Sequence, residues 1–136
     1  MKAVIRIKGR VDIPGGIKRT LDRLNIGKKY SCTVIREGGE KEGMLKKVRD
    51  YVAYGKIDEK TFKELIKERG EGVGGKDFDV DKVVKGFKEG KKLREVGVKD
   101  FFRLHPPRGG IDTKQHYPRG VLGEHKEITK LIKRML

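Results

Sequence analysis

The chain has 136 residues, enough for one compact domain or a small core with an appendage. Charged residues make up 40% against 35% hydrophobic, and the net charge of +15 asks for a polyanionic partner, nucleic acid before an anionic membrane surface. The one cysteine, Cys32, excludes an internal disulfide and a cysteine-only zinc site, and no apolar run approaches the roughly 20 residues that span a bilayer.

The opening MKAVIRIKGR carries charges at alternate positions and lacks the apolar centre of a signal peptide, so a cytoplasmic setting is expected. Ala3, Ile5 and Ile7 alternate with Lys2, Arg6 and Lys8, the period of a half-buried strand. Pro14 and Gly15–Gly16 end it. From Ile17 the spacing of Leu21 and Leu24 marks a helix face, with Lys18, Arg19 and Arg23 off the stripe. A second strand is expected over 31–36, rich in β-branched residues and holding Cys32 as a small core residue. After the loop EGGEKEG, residues Met44, Leu45, Val48, Tyr51 and Val52 fit a second helix starting near Gly43. Residues 51–54 read equally well as a third strand stopped by Gly55.

Asp58 can cap a helix carrying Phe62, Leu65 and Ile66. A flexible glycine loop follows, and Phe78 and Val83 flank Asp79 as a hydrophobic staple around an N-cap. Val80, Val83, Val84 and Phe87 stripe the next helix, which Gly90 ends. Residues 98–104 should be extended, residues 105–123 form a loop rich in Gly and Pro, and Ile128, Leu131, Ile132 and Met135 propose a last amphipathic helix.

The charge is unevenly spread. Residues 1–56 hold 15 basic and 6 acidic side chains, residues 57–100 hold 12 and 11, and residues 101–136 hold 8 and 3. Two basic segments around a neutral one suggest two RNA-facing parts joined by a solvent-facing part.

Catalytic chemistry finds little support. His105, His116 and His125, with Asp112 and Glu124 nearby, lack the paired spacing of a zinc module. GEGVGG at 70–75 lacks the Gly-Lys-Ser/Thr ending of a nucleotide phosphate loop. Cys32 has no histidine near it in sequence. No convergent acid, base, nucleophile or metal set stands out, so no enzyme, cofactor or metal is expected. What remains is basic: in FFRLHPPRGG, Arg103 and Arg108 supply charge, Phe101 or Phe102 can anchor the segment, two prolines stiffen it, and Gly109–Gly110 admits close approach of RNA. Gly9–Arg10 offers a second contact.

AVIRIKGRV, IKRTLDRLNI, GMLKKVRDYVAYGKID and FRLHPPRGG together resemble the archaeal branch of large-subunit ribosomal protein thirty, whose eukaryotic relative is large-subunit protein seven. The resemblance implies an α+β fold: a ferredoxin-like two-layer sandwich, with a three-stranded antiparallel sheet and two helices, plus a helical C-terminal extension. It divides the chain into a core domain over 1–56 and an archaeal-type extension with a basic recognition arm over 57–136. Met44, Leu45, Val48 and Tyr51 match the second core helix. Arg6, Lys8 and Arg10 match the basic first strand, and Arg103, His105, Arg108 and Gly109 match the RNA-facing stretch of the extension. With Lys18, Arg19 and Arg119 these form the expected RNA-binding set. The acidic residues of loop 37–42 depart from the family and argue against a contact there. The implied role is a structural constituent of the large ribosomal subunit, a monomer there beside ribosomal RNA and neighbouring ribosomal proteins, with no membrane partner. An independent RNA-binding module or RNA chaperone is the alternative.

Overall fold

In the computed structural model, which describes residues 1–8, 13–36, 38–108, 117, 120 and 122–136, strand β1 (Lys2–Arg6) lies at the centre of a sheet. It pairs antiparallel with β2 (Ser31–Ile35) on one side and β3 (Val52–Lys56) on the other, setting Ala3 opposite Val34 and Gly55. Residues 52–54 therefore open a strand, with Tyr51 in the turn before it, and that strand runs through Gly55 instead of stopping there. Glycine is required at this point because a Cβ would collide with the carbonyl oxygen of His125 and press on Ile128.

Successive strand residues point to opposite faces of a sheet, and here both faces are covered. Toward the front, Val4, Ile35 and Val52 pack with Leu21, Leu24, Ile26, Leu45 and Val48 from helices α1 (Gly15–Arg23) and α2 (Glu40–Val48) and the turn after α1. Both helices start earlier than the apolar stripes alone indicate. In α2 the acidic segment supplies the first turn: Glu40 and Glu42 sit at the positive end of the helix dipole, and Glu42 receives the Lys2 ammonium at 2.7 Å.

Toward the back, Ala3, Ile5, Ile7, Cys32, Val34 and Ala53 pack against the second half of the chain. Helices α3 (Glu59–Arg69), α4 (Val80–Lys88) and α5 (Ile128–Met135) bring Phe62, Leu65, Val83, Phe87, Ile128 and Ile132 to that face. Thr61 N–H donates to the Asp58 carboxylate at 2.8 Å and Asp81 N–H to Asp79 at 3.0 Å, so both expected N-caps form. Gly90, at φ 95°, follows the end of α4. The four apolar residues that proposed the last helix are all buried.

The extension also lengthens the sheet. β4 (Phe102–Arg103) adds antiparallel to β2, and β5 (Gly123–Glu124) adds parallel to β3, giving the order β4-β2-β1-β3-β5 among the described residues. The expected three-stranded antiparallel, two-layer arrangement is thus corrected to a mixed five-stranded sheet between two helical layers. The physical reason is visible in β1, whose five residues are all buried: Val4 and Ile5 point opposite ways, and each gains about 1.5–3 kcal/mol on leaving water. One helical layer covers only one of them. The nearly neutral middle segment is likewise no simple spacer, since its helices form much of the back layer.

Candidate nucleic-acid interface

Four chain segments meet at one end of the sheet. Tyr30 N–H donates to Arg6 O at 2.7 Å, Ile7 and Lys8 N–H both donate to Tyr51 O at 3.0 and 3.2 Å, and Leu104 N–H donates to Tyr30 O at 3.1 Å. Backbone pairing across four segments holds this rim, so its cations project from fixed positions. The Lys8 ammonium sits 5.6 Å from the Tyr51 ring centroid and the Lys29 ammonium 5.0 Å from that of Tyr30. Cations seated over aromatic faces in this way are positioned without being neutralised.

The arm begins here. Phe102 is the core anchor, buried on the back face, while Phe101 stays half-buried with the Arg103 guanidinium 5.7 Å from its centroid. Leu104 and Pro107 are buried, and Arg103, His105, Pro106 and Arg108 are exposed. The end of α5 fixes the arm: His105 N–H donates to Met135 O at 2.9 Å, Arg108 N–H to Arg134 O at 3.0 Å, and Arg134 Nε returns a bond to Arg108 O at 2.9 Å. Carbonyls at a helix C-terminus lack intrahelical partners, and the arm uses them. This clamp had no signature in the sequence beyond the amphipathic stripe of the last helix.

Of the expected contact residues, Arg103, His105 and Arg108 are thus brought together on one exposed strip. Lys18 and Arg19 are exposed on α1, and Lys8 is partly buried at the sheet end. Arg10, Gly109 and Arg119 lie outside the described residues, as does His116.

Arg6 requires a correction. It is only 1% exposed, with Nε donating to Lys8 O at 3.0 Å and Nη1 to Ile26 O at 3.2 Å. Its position on the front of the central strand sends the side chain beneath the turn after α1, where it ties that turn to β1. A guanidinium committed to buried carbonyls cannot reach a phosphate without leaving them unsatisfied. Sequence alternation marked Arg6 as a solvent-side cation because it could not show the second layer above it.

Sequence reasoning passed over Lys28, Lys29, Tyr30 and Arg94. The string KKY just before the second strand was a usable signal for the first three. The positive φ of Tyr30, 65°, was not.

The opposite side of the molecule behaves differently. On α3 and α4, Lys88 meets Glu59 at 2.5 Å, and Lys63 meets Glu59 at 3.7 Å and Asp81 at 3.8 Å, all at the surface. These contacts offset Lys63 and Lys88 locally, and over residues 57–100 the 12 basic and 11 acidic side chains nearly balance.

Of the groups weighed for catalysis, Cys32, His125 and the 70–75 loop are otherwise engaged. Burial pushes the Cys32 thiol up to about 12, so it holds its proton at neutral pH. His125 is buried, its Nδ1 accepts from Glu127 N–H at 3.0 Å, and desolvation lowers its basicity. The 70–75 loop is pinned to the segment before β4, with Val73 N–H donating to Gly97 O at 3.0 Å and Lys99 N–H to Glu71 O at 2.9 Å. Among the described residues no group of three or more metal-ligating side chains gathers, and no helix is long and apolar enough to cross a membrane.

Comparison with known proteins places this arrangement. The profile of the family described as Ribosomal protein L30p/L7e matches residues 2–52, from β1 to the start of β3. The Large ribosomal subunit protein uL30 of Archaeoglobus fulgidus is 40% identical, with 99% of each chain covered. The chain belongs to the L30p/L7e ribosomal protein family. The uL30 proteins of Methanosphaera stadtmanae, 38% identical over the full length of both chains, and Staphylothermus marinus, 39% identical over 98% of this chain and 97% of the relative, extend the match through the back layer and the arm. The family is one of structural proteins and not of catalysts.

Proposed function

We propose that the chain is a structural constituent of the large ribosomal subunit that binds and stabilises its ribosomal RNA through the basic sheet end and the 103–108 arm. The observation that carries this reading is full-length similarity to archaeal uL30 proteins in a chain of net charge +15. Lys8, Lys29, Arg103 and Arg108 neutralise phosphates, Arg103 and Arg108 adding the planar donor fork that a lysine lacks. Lys18 and Arg19 extend the contact along α1. The nearly neutral segment 57–100, with helices α3 and α4, turns away from the RNA, toward solvent or neighbouring ribosomal proteins. The protein sits as a monomer in the cytoplasmic ribosome, without a membrane partner.

A free RNA-binding module or RNA chaperone would use the same basic end, so location separates the two. The native protein is expected to co-sediment with large subunits and to survive a moderate salt wash; recovery only from light fractions contradicts the ribosomal role. Affinity of the purified protein for large-subunit RNA should fall steeply with salt. With roughly 6–10 phosphates neutralised, the loss between 50 and 200 mM is about 10³–10⁵-fold.

A further inference from the structure

Between the turn after α1 and the segment entering β4 lies a cleft of about 270 Å³. Lys28, Arg94 and Arg103 line it together with the Phe101 ring, and Asp22, Asn25 and Asp100 complete its walls. We infer that this cleft takes one unstacked RNA nucleotide, with its base laid against Phe101, its phosphate met by Lys28 and Arg103, and guanine the base that fits best.

Three features converge on that occupant. The volume falls just below the roughly 300–1,000 Å³ of sites for drug-sized molecules, which suits a single base better than a helix or a peptide. Phe101 is not consumed by the fold, because its neighbour Phe102 is the buried anchor. Its half-buried ring lies 5.7 Å from the Arg103 guanidinium and 6.0 Å from the Lys99 ammonium. At those distances over the ring the two cations are not in contact with it, and a base stacking on Phe101 would bring its phosphate within their reach. The walls also mix charge. A groove for phosphate alone would not carry Asp22 and Asp100, and an acidic peptide would be repelled by them. A base turned out of its helix presents N–H donors on its pairing edge, and guanine places an imino and an amino donor side by side, matching the two oxygens of the Asp22 carboxylate, since Arg94 holds that of Asp100.

The cleft is also set before binding. Thr33 Oγ1 donates to Asp100 O at 2.8 Å, and Arg94 Nε holds the Asp100 carboxylate at 3.5 Å. Asn25 and Tyr30 hold positive φ values of 62° and 65°, fixing the turn that forms the opposite wall.

This inference rests on the RNA-binding reading, and the test separates them. Wild-type protein and the Phe101→Leu and Phe101→Tyr variants are titrated against large-subunit ribosomal RNA and against unrelated RNA of equal length. Equal wild-type affinity for both RNAs overturns the ribosomal reading. If wild type prefers the ribosomal RNA, Phe101→Leu should lose about 5- to 150-fold in affinity through lost stacking, and Phe101→Tyr should bind like wild type. Unchanged binding by Phe101→Leu overturns the cleft alone. Should Phe101→Leu fail to fold, the wild-type complex still decides: ultraviolet crosslinking and mass spectrometry should place one nucleotide, a guanosine, on the peptide containing Phe101. Crosslinks confined to other peptides overturn the proposal.

Discussion

The front and back faces of the sheet share the same strands but have different neighbours and different outer surfaces. On the front, α1 and α2 close over Val4, Ile35 and Val52 and keep Lys18, Arg19, Lys46 and Lys47 at the surface. On the back, a larger cluster is closed by α3, α4 and α5, where Lys63 and Lys88 are paired with Glu59. Residues 57–100 therefore help complete the core while carrying 12 basic against 11 acidic side chains, whereas residues 1–56 carry 15 against 6. Helices α3 and α4 supply back-layer packing within a nearly neutral segment, while the arm's cations depend on α5 of the same layer for their placement.

The most severe way to test this division is to remove the back layer. Truncation after Lys56 would expose Ala3, Ile5, Cys32, Val34 and Ala53 and strip the outer edges of β2 and β3. The fragment is expected to show no cooperative melt and to aggregate; a soluble fragment melting like the full chain would show that the front layer suffices. Phe62→Ala opens the back cluster beside Phe87, whose ring centroid lies 5.1 Å away, and should cost about 3–5 kcal/mol in a denaturant titration. Leu21→Ala on the front should cost about 2–5 kcal/mol. A negligible loss at Phe62 would contradict a structural role for the extension. Gly55→Ala forces a methyl group against the His125 carbonyl and Ile128, with an expected cost of about 1–3 kcal/mol; a neutral result would mean that β5 does not press on β3 as described.

The smallest effect concerns the cap of α3. Hydrogen bonds from Thr61 hold the Asp58 carboxyl below its ordinary value. A depressed carboxyl contributes stability that is full above its unfolded pKa, about 3.9, and is lost as pH falls through the folded value. Wild type should therefore melt above Asp58→Ala at neutral pH, with the gap narrowing as pH falls below about 4. A gap that stays constant on acidification would remove the charge from the account.

The sequence disclosed whatever depends on near neighbours. Period-two spacing marked β1, and four- and three-residue spacings marked α1, α4 and α5. Asp58 and Asp79 announced their helices because a cap acts within three residues. What stayed hidden depends on distant segments. Nothing near Val4 or Arg6 shows that a helical layer lies above each face, so the alternation alone puts Arg6 on a solvent side, and the family resemblance supplies only three strands. Strands β4 and β5 have two residues each, too short for any period, and exist only because β2 and β3 offer edges. Within the site, Arg103, His105 and Arg108 were legible from composition and family resemblance. The clamp by the end of α5 and the cleft at Phe101 were not, because both join residues far apart in the chain.

Lysine reactivity measured in the complex tests the division of faces most directly. The protein, free and bound to large-subunit ribosomal RNA, would be acetylated under limiting reagent and each lysine quantified by mass spectrometry. Lys8, Lys28 and Lys29 should become protected on binding, while Lys63 and Lys88, paired on the outer surface of α3 and α4, should react as they do in the free protein. Protection of α3 and α4 with continued reactivity at the sheet end would contradict the account.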